Sequence, residues 1–132
     1  MIISRMRVAA LVIGLSATLL YEVARSFYRP YIYANSLNDL HIADTIGNTL
    51  GTVAAVFMFV FLLGKERSQA LFLIRTVTIS LVVYELAHPL LGKNIDGWDV
   101  AATLLAGALC ELIYRRLHAQ PILAEHGFSQ GK

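Results

Sequence analysis

The stretch VVYELAHPLLGKNIDGWDVAA (82–102) places five ionisable side chains between two apolar segments. They are Glu85, His88, Lys93, Asp96 and Asp99. Carboxylates gathered at one level can bind a cation or the amine of a lipid head group, and neighbouring carboxylates can share a proton. Whether these side chains meet depends on the elements that hold them.

The chain is far more apolar than a soluble domain of its length. Of its 132 residues, 57% are hydrophobic and 15% are charged, whereas soluble domains have about a quarter charged. The apolar residues form four runs of the length that a membrane-spanning helix needs, at 6–23, 43–64, 70–87 and 98–114. Because backbone in lipid must form its hydrogen bonds internally, we predict an all-α membrane protein. It has one domain of four transmembrane helices (1–117) and a polar cytoplasmic tail (118–132).

The distribution of basic residues predicts the orientation of the helices. One side of the predicted bundle carries eight Lys and Arg residues, whereas the other carries only Arg25, Arg29 and Lys93. Six of the nine acidic residues lie on the less basic side. We therefore predict a multi-pass protein with both termini in the cytoplasm.

Two pairs of stretches follow a common pattern. LLYEVA (19–24) resembles VVYELA (82–87), and HIADTIGNTLG (41–51) aligns without a gap with DGWDVAATLLA (96–106). Each half has a Tyr-Glu helix end, a loop, an Asp and two small residues four apart, which predicts two pseudo-repeated helical hairpins. Tyrosines in the longer first loop (25–41) suit a membrane interface, so a short interfacial helix is predicted there.

The repeat places acidic side chains at a similar depth. Glu22 lies fifteen residues after Arg7, and Glu85 lies sixteen after Gln69, which is about 22–24 Å along a helix. Ionisable groups within a span are costly and normally face the bundle interior. We therefore predict a ligand-binding site at the outer mouth of the bundle, with His41 at its rim. Its predicted residues are Glu22, Glu85, Asp44, Asp99, His88 and Asp96.

Structural roles compete for the same side chains. Asp44 and Asp99 open the even-numbered helices, where a carboxylate can cap free N–H groups. Each glutamate also precedes a basic or histidine side chain by three positions, which allows pairing on its own helix. No metal site is expected. Glu85 and His88 have the spacing of carboxylate-bridged metal sites. However, Arg25 occupies the position equivalent to His88 in the first half, and its positive charge would repel a metal ion.

Helix packing is predicted from small residues. In lipid, small side chains four apart let helices approach closely. The predicted packing residues are Gly47, Gly51, Ala102, Ala106 and Gly107, with the first two in the tightest contact.

Two ionisable residues lie deeper within the apolar runs. Arg75 is about five residues inside the third run, and Glu111 lies similarly in the fourth. Since an isolated charge at this depth is costly, we predict that they form an ion pair. Arg75 would otherwise extend toward lipid phosphates.

The second half of the chain resembles VanZ-like membrane proteins. The residues in that family's order are Glu85, Gly92, Lys93, Asp96 and Asp99. The family's Asp-x-x-x-Asn-x-x-Gly helix opening is complete only in the first half, at Asp44, Asn48 and Gly51, while Thr103 and Ala106 replace its Asn and Gly in the second. The resemblance covers 82–107 and part of 41–52. It implies a small integral protein of the bacterial inner membrane, in a family with some members associated with glycopeptide resistance.

The first functional hypothesis is a non-catalytic VanZ-like protein whose acidic outer site binds an envelope lipid head group or a cationic ligand. The first alternative is an accessory subunit of a larger membrane complex, and the second is a small proton-coupled transporter that uses both glutamates. A membrane enzyme that uses the carboxylates as acid and base ranks last. Nucleophilic catalysis has no signal, since no nucleophile elbow occurs and the single cysteine, Cys110, lies within a span. Membrane lipid is the expected partner, and no cofactor or nucleic acid is expected.

Overall fold

The helices follow the four apolar runs of the sequence. The computed structural model describes residues 4–119. Its helices are α1 (Arg5–Val23), α2 (Arg29–Ala34), α3 (Ile42–Leu63), α4 (Arg67–Leu86) and α5 (Gly97–Ala119). Because α5 continues to Ala119, the predicted tail loses its first two residues to the helix, and the rest of it (120–132) lies outside the described residues.

Four helical stretches are long and apolar enough to cross a membrane, namely Arg5–Ala34 and the helices α3, α4 and α5. Over the described residues, the prediction of an all-helical, membrane-compatible protein is therefore confirmed. Large apolar side chains also cover the outside of these helices, and Phe72, Ile79 and Leu105 are each more than half exposed. A surface of this composition is suited to contact with acyl chains.

The first helix is longer than the sequence predicts. Helical backbone runs through a π-helical turn (Ala24–Tyr28) into α2, giving thirty residues from Arg5 to Ala34, or about 45 Å. Residues 25–34 therefore continue the first helix and do not form a separate short helix. Pro30 lacks an N–H and its ring crowds the preceding turn, and the wider π turn just before it lets the helix continue.

The central helix of the bundle is α3. It packs against α1, α4 and α5, and α4 also packs against α5, whereas α1 packs extensively only along α3. Val56 and Phe57 of α3 are fully buried and form the core with Ile74 of α4 and Cys110 of α5. The single cysteine is thus a small apolar core residue.

Among the glycines, the closest contact with a neighbouring helix lies between α4 and α5. A Cβ on Gly107 would be 2.2 Å from Cγ2 of Thr78, so any larger residue would force these helices apart. A Cβ on Gly47 would meet the Tyr21 ring at 3.5 Å, which is ordinary contact, and one on Gly51 would meet nothing within 4 Å. Of these three glycines, Gly107 therefore makes the tightest contact, whereas the small-residue spacing predicts it at Gly47 and Gly51.

The bundle has two chemically different ends. We call the end where α1 and α4 begin the basic end, and the end where α3 and α5 begin the acidic end. At the basic end, Arg7 Nε donates a hydrogen bond of 2.7 Å to the carbonyl of Phe61. This bond fixes the start of α1 to the last turn of α3, whose carbonyls have no partner within the helix.

Candidate functional site

Helical periodicity turns Glu85 toward the inside of the bundle. On α4, the side chains at 74, 78, 81 and 85 recur every three to four residues and therefore share one face. Ile74 and Thr78 are buried on this face, and Glu85 is only 7% exposed. The face packs against α3 and α5, so a carboxylate in the last turn of α4 is enclosed by protein.

A cavity of about 230 Å³ lies beside Glu85, between α3, α4 and α5. The lining residues are Gly47, Asn48, Gly51, Thr52, Leu81, Tyr84, Glu85 and Thr103. The open space around Gly51 belongs to this cavity. The small residues at the start of α3 therefore make room in the bundle instead of forming its tightest contact.

Two polar atoms of the cavity residues lack a partner. Glu85 Oε2 and Asn48 Nδ2 are both buried, with no hydrogen-bond partner among the described residues. Such a group costs on the order of 1–3 kcal/mol, and in a native protein it calls for an explanation such as a bound ligand. Together the two groups offer one acceptor and one donor. We call this site the Glu85–Asn48 cavity.

His88 lies beside Glu85 without forming a hydrogen bond to it. Its Nδ1 is 3.2 Å from Glu85 Oε2, yet the same oxygen has no partner of acceptable geometry. The two groups are close but misaligned, and a hydrogen bond weakens steeply when it is misaligned. The imidazole is also oriented edge-on to Tyr84, with ring centroids 5.2 Å apart. Glu85 therefore keeps an oxygen free for a ligand.

The other acids of the predicted site do not line this cavity. Glu22 lies on α1 and pairs with Arg25 at 2.8 Å, with about half of its side chain exposed. Asp44 accepts a hydrogen bond from the Tyr33 hydroxyl, and one of its oxygens lies 3.2 Å from His41 Nδ1. Glu22 thus has the same-helix partner that the sequence allows, and only Glu85 of the predicted ligand-binding set lines the cavity.

The helix caps come from aspartates other than those predicted. Asp39 accepts a 2.6 Å hydrogen bond from a backbone N–H in the first turn of α3, and Asp96 accepts one of 2.8 Å in the first turn of α5. Asp44 and Asp99 are the third residues of these helices, so they lie past the capping position. Asp96, which the sequence predicts as a ligand-binding residue, instead caps α5. Asp99 lies close enough to His88 for electrostatic attraction.

A chain of aromatic and polar contacts crosses the acidic end. Arg29 Nε donates to the Tyr33 hydroxyl at 3.0 Å, and that hydroxyl donates to Asp44. The His41 ring stacks on Trp98 with centroids 5.0 Å apart. These contacts connect α2, α3 and α5 around the predicted rim.

Asn48 is the cavity residue that the predicted ligand-binding set lacks. It stands in the Asp-x-x-x-Asn-x-x-Gly helix opening, which is the one signal in the sequence that singles it out. Asn48 and Glu85 line the same cavity because α4 packs against α3, and no local sequence pattern specifies that packing.

The ion pair predicted within the spans is present. Arg75 donates to both carboxylate oxygens of Glu111, with N–O distances of 2.7 and 2.9 Å. Arg115 donates to the same carboxylate. Glu111 therefore holds two guanidinium groups between α4 and α5.

Within residues 4–119, no group of three or more His, Cys, Asp or Glu side chains is arranged to hold a metal ion. Comparisons with protein-family models, curated proteins and solved structures gave no match. Function must therefore be inferred from the chemistry of the cavity itself.

Proposed function

We propose that the protein is a multi-pass membrane protein of the VanZ-like type that binds the cationic head group of an envelope lipid in the Glu85–Asn48 cavity. The observation that carries this proposal is the pair of unpartnered buried atoms, a carboxylate oxygen and an amide nitrogen, on residues of one cavity. A ligand that satisfies both must donate to Glu85 and accept from Asn48. A phosphoethanolamine head group does so, with its ammonium and its phosphate oxygens.

The charge and depth of the cavity also favour such a ligand. A buried carboxylate is stabilised by a positive partner. His88 lies 3.2 Å from Glu85 Oε2 but forms no hydrogen bond to it, so that oxygen can still accept one from a ligand. Glu85 is the second-last residue of α4, a helix about 30 Å long. That length equals the hydrocarbon thickness of a bilayer, so Glu85 lies at the level where lipid head groups begin.

Glu85→Gln should strongly reduce the stabilisation of the purified protein by phosphatidylethanolamine. The glutamine keeps the size of the side chain but removes the charge, and losing a charge-assisted hydrogen bond weakens binding by about tenfold or more. The measurement is thermal unfolding in detergent over a lipid titration. Glu22→Gln is the matched control, because it makes the same change at a half-exposed acid outside the cavity, and it should respond like the wild type.

Equal stabilisation of both variants would contradict the proposal. So would a stabilisation by phosphatidylglycerol, which has no ammonium group, that Glu85→Gln also removes.

We also propose that the protein lies in the bacterial inner membrane with its basic end on the cytoplasmic side, supported by the bias of Lys and Arg. In a Cys110→Ala background, Asn94→Cys at the acidic end should react with a membrane-impermeant maleimide in intact cells. Ser68→Cys at the basic end should react only after the membrane is disrupted. Both positions are exposed, so the reverse pattern would mean the opposite orientation.

The two-hairpin repeat and the interfacial placement of residues 25–34 belong to the same proposal. The repeat is supported by the order of two consecutive hairpins, although α4 packs against both α3 and α5 while α1 packs extensively only along α3. The interfacial placement is supported by length, because a helix of about 45 Å exceeds the hydrocarbon layer of about 30 Å. Its last ten residues would then lie at or beyond the membrane surface.

A second candidate function, a subunit of a larger membrane complex, is supported by a groove between α3 and α5. This groove has a volume of about 320 Å³, and its walls include Thr45, Thr49, Ala101, Ala102 and Ala106. Small residues of this kind allow a further helix to pack closely. Purification with a stoichiometric protein partner, lost on Ala102→Leu, would favour this function. Transport is less well supported, because Glu22 is paired on its own helix.

A further inference from the structure

A second polar cluster lies between α4 and α5, toward the basic end. Glu111 accepts four hydrogen bonds, two from Arg75 and two from Arg115, with N–O distances from 2.6 to 2.9 Å. Both guanidinium groups are therefore held beside one carboxylate. The cluster has two positive charges and one negative charge, which leaves it with a net positive charge.

This positive charge faces outward from the bundle. The Arg75 side chain is 58% exposed and that of Arg115 is 45% exposed. A guanidinium has five N–H donors, and each of these two uses only two of them on Glu111. Since α4 and α5 are long and apolar enough to span a membrane, the remaining donors would then face a medium in which an unneutralised charge is costly. A negatively charged ligand would remove that cost.

An apolar groove adjoins the cluster. It has a volume of about 200 Å³, and its lining residues are Ile74, Arg75, Thr78, Ile79, Gly107, Ala108 and Glu111. Along the α4–α5 hairpin, Arg115 lies nearest the basic end, the Arg75–Glu111 pair follows, and Gly107 and Ile79 lie deeper. Cationic groups are thus closer to the membrane surface than the groove, and a phospholipid arranges its phosphate and acyl chains in the same order.

We propose that this surface binds an anionic phospholipid, with its phosphate on Arg75 and Arg115 and one acyl chain in the α4–α5 groove. Guanidinium groups bind phosphate oxygens through paired, charge-assisted hydrogen bonds. Basic pockets between transmembrane helices are a known arrangement for anionic head groups. The site lies toward the opposite end of the bundle from the Glu85–Asn48 cavity, so it does not depend on the function proposed for that cavity.

The test compares two lipids with identical acyl chains, phosphatidylglycerol and phosphatidylcholine. The full-length protein in neutral detergent is titrated with each lipid, and native mass spectrometry counts the lipids retained. We expect phosphatidylglycerol to be retained in preference. Arg115→Gln should weaken its binding about tenfold, the effect of one lost charge-assisted hydrogen bond, while leaving the Arg75–Glu111 pair in place. Lys93→Gln, which removes an exposed cation at the acidic end, should bind like the wild type.

A second variant tests the groove without changing the charges. Ile79 is exposed and lines the groove, so Ile79→Trp should obstruct the acyl chain and also reduce retention of phosphatidylglycerol. This variant decides the matter if Arg115→Gln fails to fold. Equal retention of the two lipids would overturn the proposal, as would unchanged retention by Ile79→Trp. Full displacement of the lipid by inorganic phosphate, or a protein dimer that Arg115→Gln dissociates, would also overturn it.

Discussion

Replacing Gly107 by leucine should prevent α4 and α5 from packing, and replacing it by alanine should lower the free energy of unfolding by about 1–3 kcal/mol. A single Cβ at this position would lie 2.2 Å from Thr78 Cγ2 and 2.8 Å from Thr78 Cβ. The contact can be relieved only if the two helices separate, which would also weaken the packing of Ile74 against Cys110. Unfolding in mixed detergent micelles measures the change.

Two further variants make the Gly107 experiment specific. Gly51→Ala introduces the same methyl group where nothing lies within 4 Å, so it should be neutral or slightly stabilising through helix propensity. Thr78→Ala in the Gly107→Ala background removes the two closest atoms, Cγ2 and Oγ1, and should recover part of the lost stability. If Gly107→Ala were as stable as the wild type, α4 and α5 would have to lie farther apart than described above.

Phe57→Ala should lower the free energy of unfolding by about 3–5 kcal/mol, whereas Phe59→Ala should change it little. Phe57 is 0% exposed at the centre of the core, and Phe59, two residues on, is 45% exposed. Two residues correspond to a rotation of about 200° around the helix, so the two rings lie on opposite faces of α3. In lipid, acyl chains replace a deleted surface side chain, but a deleted core side chain leaves a cavity.

The same unfolding assay measures the stability of the two phenylalanine variants, whose substituted residues are matched in type, helix and depth. A large loss of stability in Phe57→Ala but not in Phe59→Ala would support α3 as the central helix. Equal losses for both variants would show that a partner also covers the Phe59 face, and a larger loss for Phe59→Ala would contradict the rotational position of α3.

The positions of the spanning helices can be predicted from the sequence because the length of an apolar run is a local property of the chain. The run at 43–64 coincides with α3 to within one residue at each end. The first helix departs most from its run, since Pro30 and a polar, tyrosine-rich stretch predict that the helix has ended, and α5 also extends five residues past its run. A π turn that carries the helix past a proline has no comparably simple signature in the sequence.

The two Tyr-Glu sequences show why the candidate site was only partly predictable. LLYEVA and VVYELA are nearly the same, yet Glu22 is half exposed and paired with Arg25, whereas Glu85 is buried beside a cavity. The difference arises because α4 packs against two helices and α1 extensively against only one. Asn48 was missed for the same reason, since its importance comes from its position opposite α4.

Four helices able to span a membrane, and the similar depths of Arg75 and Glu111, can be predicted from the amino-acid sequence. Both follow from the order of residues along a single helix, where each backbone group bonds to a neighbour in the same segment. Which acid is buried, how closely Gly107 approaches Thr78 and where a cavity remains depend on the packing of the helices. Those features depend on how each helix is rotated and which surfaces it shares with its neighbours, and in lipid that choice follows packing more than hydrophobicity.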